Sequence, residues 1–310
     1  MAQYKRNRAK LPAEARRRIE ISREVARQDM AIGLMSLFCQ LRDSKTRKYI
    51  EEIKQPWNGG VISVNGPELS SFDQDVLFGL LALALQRERD CEKKSGLEIP
   101  EINAGGGVES ADTLTLRTGY AELARIMGYE SEDMKPIKKA IKRLSSVVVE
   151  AQTKDAWATS HLIHGAAGKG RGAVKVVFSW RLTRALLGDG SYAAVSMSDR
   201  RILPGGLARL VHAWLCAWFA SQSGRRSISL ETLESHVYRE PAKSDRTTRD
   251  RRQKLRAAVD SLRMIGWGVK WRGDIAEIER RMSTATDKTP VPLPENPCTI
   301  AADESVMPRQ

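Results

Sequence analysis

The chain has 310 residues, 41% of them hydrophobic and 29% charged, an ordinary globular composition that can bury the cores of about two domains. Lys and Arg number 51 against 38 Asp and Glu, a formal net charge of +13, which favours a polyanionic partner: nucleic acid first, an anionic membrane second. The longest apolar run, residues 76–85, is about half a membrane span, and the basic N-terminus MAQYKRNRAKLPAEARRRIE is not followed by the apolar stretch of a secretory signal.

In chain order, residues 1–60 are expected to form a basic N-terminal extension, with a solvated helix or a basic arm over 1–30. PWNGGVISVNGP, 56–67, carries turn signals around a short strand at 61–64. In SSFDQDVLFGLLALALQRERD, Ser71 is placed to cap a helix, with Asp73 and Asp75 near its positive end. That helix is apolar nearly all round and therefore belongs to the core. Residues 93–110, with NAGGGVES, read as a loop. Residues 147–152, 158–164 and 173–180 read as strands, the last two as a hairpin around a basic tip at 166–172 that carries Lys169 and Arg171. A long apolar helix is predicted over 207–221, with Leu210, Trp214, Ala217 and Trp218 on its core face. The four cysteines, Cys39, Cys91, Cys216 and Cys298, stand far apart with no CxxC pair; Cys216 reads as a buried thiol in a reducing cytoplasm. Residues 282–310 turn to Thr, Pro, Asp and Glu and are expected to be a disordered tail.

A pattern occurs twice. LTLRTGYAELARIMGYESEDMKPIKKAIKRLSSVVVEAQ, 114–152, and SISLETLESHVYREPAKSDRTTRDRRQKLRAAVDSLRMIGWGVKW, 227–271, each read as strand, short helix, turn, longer basic helix, strand. Ile137, Ile141 and Leu144 match Leu255, Val259 and Leu262 at a constant offset, and the i, i+4, i+7 spacing puts each trio on one helical face. The expected fold is α+β: two tandem winged-helix domains, 61–190 and 191–281, each a helix-turn-helix followed by a β-hairpin wing.

The residues facing away from the trios are the candidate DNA-binding set. In the first helix they are Lys135, Lys139, Lys142 and Arg143, with Lys138 beside them and Lys169 and Arg171 at the first hairpin tip. In the second they are Arg246, Arg249, Gln253 and Arg256, with Arg252 beside them and Thr247 and Thr248 at the helix N-terminus, where backbone N–H groups suit a phosphate. Arg pairs in bidentate fashion with guanine and Gln with adenine, whereas Lys mainly neutralises phosphate. The second helix is thus assigned more base readout and the first more backbone anchoring. Residues 239–256 hold eight basic and three acidic side chains, a bias that a merely solvated helix would not need.

Catalytic chemistry finds little support. HGAAGKG is not a P-loop, since GxxxxGK[ST] would require Gly at 163 and Ser or Thr at 170, where the chain has Ile163 and Gly170. His161 and His164, three apart on a strand, point to opposite faces. There is no GxSxG, no HExxH and no acidic cluster for a metal-dependent nuclease. No catalytic residue, metal site or cofactor is expected.

The segments ISVNGPE with FDQDVLFGLLALA, GYAELARIMG with IKKAIKRLSSVVVEAQ, SYAAVSMSDRRIL, ARLVHAWLCAWF and TTRDRRQKLRAAVDSLRMIGWGV resemble, in order and spacing, the iteron-binding replication initiators of IncQ-type plasmids, the RepC type. The resemblance covers about residues 61–274. It implies a bacterial cytoplasmic protein that binds repeated double-stranded DNA sequences (iterons) at a plasmid origin and has no enzymatic activity. It also implies help in opening an adjacent AT-rich segment, recruitment of a plasmid- or host-encoded helicase and primase, and in some cases homodimerisation. The alternative on the same fold is a transcriptional repressor binding an operator; two fused units suit direct repeats better than a palindrome.

Overall fold

The computed structural model describes residues 24–41, 47–57, 59–86, 99–102, 108–111, 113–130, 134–169, 172–187, 191–220 and 224–280. The expectations for residues 1–23, the 282–310 tail, Arg171, Cys91 and Cys298 lie outside the described residues.

At the centre is helix α2, Ser71–Gln86, preceded in the chain by the short α1, Met30–Leu34. Its run from Val76 to Ala84 is buried on every side, as its nearly uninterrupted apolar sequence requires. The capping residue is Ser70 rather than Ser71: its Oγ accepts from the Asp73 N–H at 3.4 Å, and its own N–H and hydroxyl donate to the Asp73 carboxylate at 2.8 and 2.7 Å.

Around α2 lie two stretches with related element orders. In the first, β6 (Thr115–Gly119), α3 (Tyr120–Met127) and α4 (Lys135–Ser145) are followed, after an intervening hairpin, by β9 (Ile163–Lys169) and β10 (Ala173–Phe178). These strands pair in the order β6-β10-β9. In the second, α7 (Gly205–Trp218), β12 (Gly224–Ser229), α8 (Leu230–Val237) and α9 (Asp245–Asp260) are followed by a 3-10 turn, Ser261–Ile265, then β13 (Gly268–Arg272) and β14 (Ile275–Arg280). Here too the first strand pairs with the last, in the order β12-β14-β13. Helix α3 ends at Gly128, whose φ of 78° is the left-handed conformation that closes the last turn.

Several elements depart from the sequence reading. β1 (Val25–Asp29) pairs antiparallel with β11 (Tyr192–Ser196), and β2 (Tyr49–Trp57) forms a hairpin with β3 (Gly60–Pro67). The described residues 24–41 and 47–57 are therefore not a mere extension: Ala26, Ile32 and Leu37 are buried in the common core, and Ile50 is buried as well. The strand read at 61–64 is twice as long because β2 and, on its other side, β7 (Val148–Gln152) both pair with it. Residues 158–164 do not form one strand. β8 (Trp157–His161) pairs with β7, the chain bends at the fully buried Leu162, and β9 pairs with β10 in a different sheet. β9 takes in most of the tip expected at 166–172, since each of Ala166–Lys169 has a partner on β10. Within the loop expected at 93–110, β4 (Ile99–Ile102) and β5 (Val108–Ala111) form a small hairpin.

The two stretches share one core. Helices α3 and α4 pack on α2, and so does α7, on which α9 packs in turn. Leu210, Trp214 and Ala217 of α7 are buried as their spacing predicts, with Trp218 partly buried. At the N-terminus of α7, Gly206 sits so close to α2 that a Cβ there would fall 2.1 Å from Ser71 Oγ. Two short elements, α5 (Trp180–Leu187) and α6 (Met197–Ile202), flank β11 in sequence.

Candidate nucleic-acid interface

Helix α9 starts at Asp245, where Ser244 caps it: the Ser244 hydroxyl accepts from the Thr247 N–H at 3.2 Å and its carbonyl accepts from the Thr248 N–H at 3.0 Å. The helix therefore begins earlier than the threonines suggest, and their N–H groups are already taken. Leu255, Val259 and Leu262 are fully buried, and Ala258 beside them is largely so. On the opposite side Arg246, Arg249 and Gln253 are exposed, and neither arginine makes an ion pair among the described residues.

Arg252 and Arg256 turn sideways instead. Arg252 Nη1 is 3.2 Å and Arg256 Nη2 2.6 Å from the Asp274 carboxylate at the β13–β14 turn, and Arg256 also donates to the Gly273 carbonyl at 2.7 Å. The Arg256 guanidinium lies 4.6 Å from the centre of the Trp271 ring, whose Nε1 donates to Asp260 on α9 at 3.1 Å. These contacts fix the hairpin beside the helix.

Arg251, on the inner side, is buried. It contacts Glu234 at 3.3 Å, donates to the Glu240 carbonyl at 2.8 Å and stacks over Tyr238. Of the eight cations in 239–256, Arg239, Arg251, Arg252 and Arg256 are thus ion-paired within the chain. Half of the cations in that run have a structural role that its composition did not reveal.

Helix α4 has Pro136 in its first turn, where the missing N–H costs nothing. Ile137, Ala140, Ile141 and Leu144 are buried. Lys135, Lys138, Lys139 and Lys142 are exposed, and the last three make no ion pair among the described residues. Arg143 departs from its expected role of facing out: its Nε and Nη2 donate to Asp73 Oδ1 at 2.9 and 2.5 Å. A carboxylate buried in the first turn of α2 draws this guanidinium inward. Lys169 closes β9, and Arg171 lies outside the described residues. Lys175, exposed on β10 opposite Arg117 of β6, is a cation near the first hairpin that the sequence reading did not single out.

The buried acids organise much of this charge. Asp73 also takes Arg47 Nη1 at 2.7 Å, and Asp75 takes Arg200 at 2.5 Å and Arg209 at 2.8 Å. The Tyr129 hydroxyl donates to Asp75 at 3.2 Å, and burial together with that carboxylate holds its pKa above the usual phenol range.

A cleft of about 1100 Å³ runs along one flank of α9, between it and residues 39–41, 47 and 48. Arg47, Lys48, Arg239 and Arg251 line it, all engaged by acidic partners, while Lys243 and Lys254 bring charge without an ion pair among the described residues. Both lysines fall inside the basic run, which was the available signal for them. Burial pushes the Cys39 thiol in the cleft wall up to about 11, and burial holds the pKa of His212, beside Cys216 in α7, well below the usual imidazole value. Among the described residues no group of three or more His, Cys, Asp or Glu could hold a metal ion, and no helix is long and apolar enough to cross a membrane.

Two exposed cationic helices on one core, each followed by a hairpin, accord with a nucleic-acid-binding class of protein. A family model described as Replication protein C (RepC) matches residues 37–280. The chain belongs to that family and is a plasmid replication initiator protein. The match begins well before residue 61 and takes in the β2–β3 hairpin. No curated protein matches the chain.

Proposed function

We propose that the protein binds repeated double-stranded DNA sequences at a plasmid origin through two winged-helix units, with α4 and α9 entering neighbouring major grooves. The observation that carries this reading is the arrangement of α9. Arg246, Arg249 and Gln253 are displayed on a helix whose flanking hairpin is tied down by Arg252 and Arg256 through Asp274. The strand orders β6-β10-β9 and β12-β14-β13, each with a helix pair between its first strand and its hairpin in the chain, support a hairpin wing next to each helix-turn-helix.

In this reading Arg249 and Gln253 read base edges, Arg246 contacts base or phosphate, and Lys138, Lys139 and Lys142 neutralise phosphates in the adjacent groove. The units contact one side of the duplex about one helical turn apart, roughly 34–36 Å. Phosphate contacts supply much of the affinity and make it fall steeply with salt. Bending across tandem copies of the site stores strain that helps an AT-rich neighbour open. The protein acts in the bacterial cytoplasm and performs no chemistry itself; a helicase and primase then enter the opened segment.

Gel shift and footprinting on the origin region of the replicon that encodes the chain, with competitor DNA, test the proposal. Protection of directly repeated sites is expected. Protection confined to an inverted repeat at a promoter would favour an operator-binding repressor instead, and no protection above competitor would end the reading.

A further inference from the structure

We infer that the two DNA-reading units are locked together as a rigid caliper, with Asp75 as the positioning residue that sets the spacing between the contacts of α4 and α9. The inference rests on the proposal that both helices contact one duplex.

Asp73 and Asp75 stand two residues apart in the first turn and a half of α2. Asp73 holds α4 through Arg143, as described above. Asp75 holds the second unit: Arg200 of α6 reaches Asp75 Oδ1 through Nε at 3.0 Å and Nη2 at 2.5 Å, and Arg209 of α7 reaches Oδ2 at 2.8 Å. One turn of helix therefore carries the anchor of each reader. Arg200 is 1% exposed, donates to Gln74 at 3.0 Å and to the Arg209 carbonyl at 2.9 Å, and lies over the Phe78 ring. Its charge is satisfied only in this arrangement, so swinging one unit against the other would strand a buried guanidinium and a buried carboxylate.

Further ties lie away from this pair. Arg201 pairs with Glu24, donates to the Ile126 carbonyl of α3 at 2.9 Å, and packs its stem against Gly128 at the turn leading toward α4. Gln28 on β1 donates to the Ala213 carbonyl of α7 at 3.0 Å, and Arg280 at the end of β14 donates to the Ala194 carbonyl of β11 at 3.3 Å. Residues 191–204, which open the second unit, thus form a strut made of β11 and α6 rather than a tether.

A rigid caliper cannot follow a change in DNA spacing. Each added base pair moves one contact by about 3.4 Å along the duplex and turns it by about 35°. The test uses the full-length protein and the repeat protected in the footprint, with one or two base pairs inserted between the segments whose protection is lost in Lys139→Ala and in Arg249→Ala. Wild-type affinity is expected to fall roughly 10- to 100-fold, the loss of one unit's specific contacts. In Asp75→Asn and Arg209→Ala the same insertions should cost less than about threefold, with isolated half-site binding unchanged, and Arg209→Lys, which keeps a cation for the single contact to Asp75, should restore the wild-type penalty.

Wild-type binding that tolerates the insertions would overturn the inference, as would a folded Asp75→Asn or Arg209→Ala variant that keeps the full penalty. If Asp75→Asn does not fold, Arg209→Ala, at the more exposed end of the cluster, and the wild-type spacing profile decide the matter. Failure of the underlying reading looks different: no protected segment would respond to Lys139→Ala or to Arg249→Ala at all.

Discussion

Helices α4 and α9 carry apolar trios in matching register and cations on their outer sides, but they are fixed by opposite means. In α4 the one arginine of the set, Arg143, points inward to Asp73 on another helix, and the exposed cations are lysines. In α9 the fixing arginines, Arg252 and Arg256, reach sideways to the helix's own hairpin, and other arginines remain displayed. In both helices the cation that holds protein to protein is an arginine, whose planar fork matches a carboxylate. On the proposed function, the kind of cation left on the surface separates a helix that screens phosphates from one that reads bases. The surroundings differ accordingly. After α4 the chain inserts the β7–β8 hairpin into a separate four-stranded sheet before its wing-like strands begin, whereas β13 follows α9 after only a 3-10 turn.

The largest effect should come from breaking the anchor of α4. Asp73→Ala leaves Arg47 and Arg143 without their buried carboxylate and is expected to cost about 3–5 kcal/mol of stability in urea unfolding. A loss under about 1 kcal/mol would mean that α4 is held by its apolar face alone. Next, Arg249→Ala should cost about 1–3 kcal/mol in binding to the cognate repeat and relax the sequence preference at one position. An unchanged affinity there would remove base readout from α9 and with it the contrast between the helices. Lys139→Ala should weaken cognate and random DNA alike and lower the slope of log affinity against log salt by about one; a change confined to the cognate site would make α4 a reader too. The smallest effect belongs to Asp274→Ala. The pairs it removes are more than a third exposed, so solvent screening limits each to about 0.2–1 kcal/mol of stability. A double-mutant cycle with Arg256→Ala should show the two substitutions to be non-additive in DNA binding if the arginine acts through the hairpin, and additive if it touches DNA directly.

Helical periodicity carried most of what could be foreseen. Ile137, Ile141, Leu144, Leu255, Val259 and Leu262 are all buried, and the apolar run at 76–85 is a core helix, because a 3.6-residue repeat is a local property of the chain. What escaped was non-local. β1 finds β11 some 165 residues away, so the first described strand looked like part of a tail. β9, IHGAAGK, has one β-branched residue and four small ones, and it is a strand because β10 offers a partner. For the site, the outward arc of each helix was readable, but not which guanidinium had a carboxylate waiting. Asp73 lies 70 residues before Arg143, and Asp274 lies 18 after Arg256. Charge patterns place cations on a surface without naming their partners, which is why the displayed set is smaller than the basic run suggested.

The contact between Gly206 and Ser71 offers a handle for genetics. A methyl group at residue 206 has no room unless α2 and α7 move apart, an overpacking penalty of about 1–3 kcal/mol. A loss of that size leaves most molecules folded in the cold and far fewer in the warm, so Gly206→Ala should yield a conditional replicon, maintained in cells grown at low temperature and shed when the culture is heated.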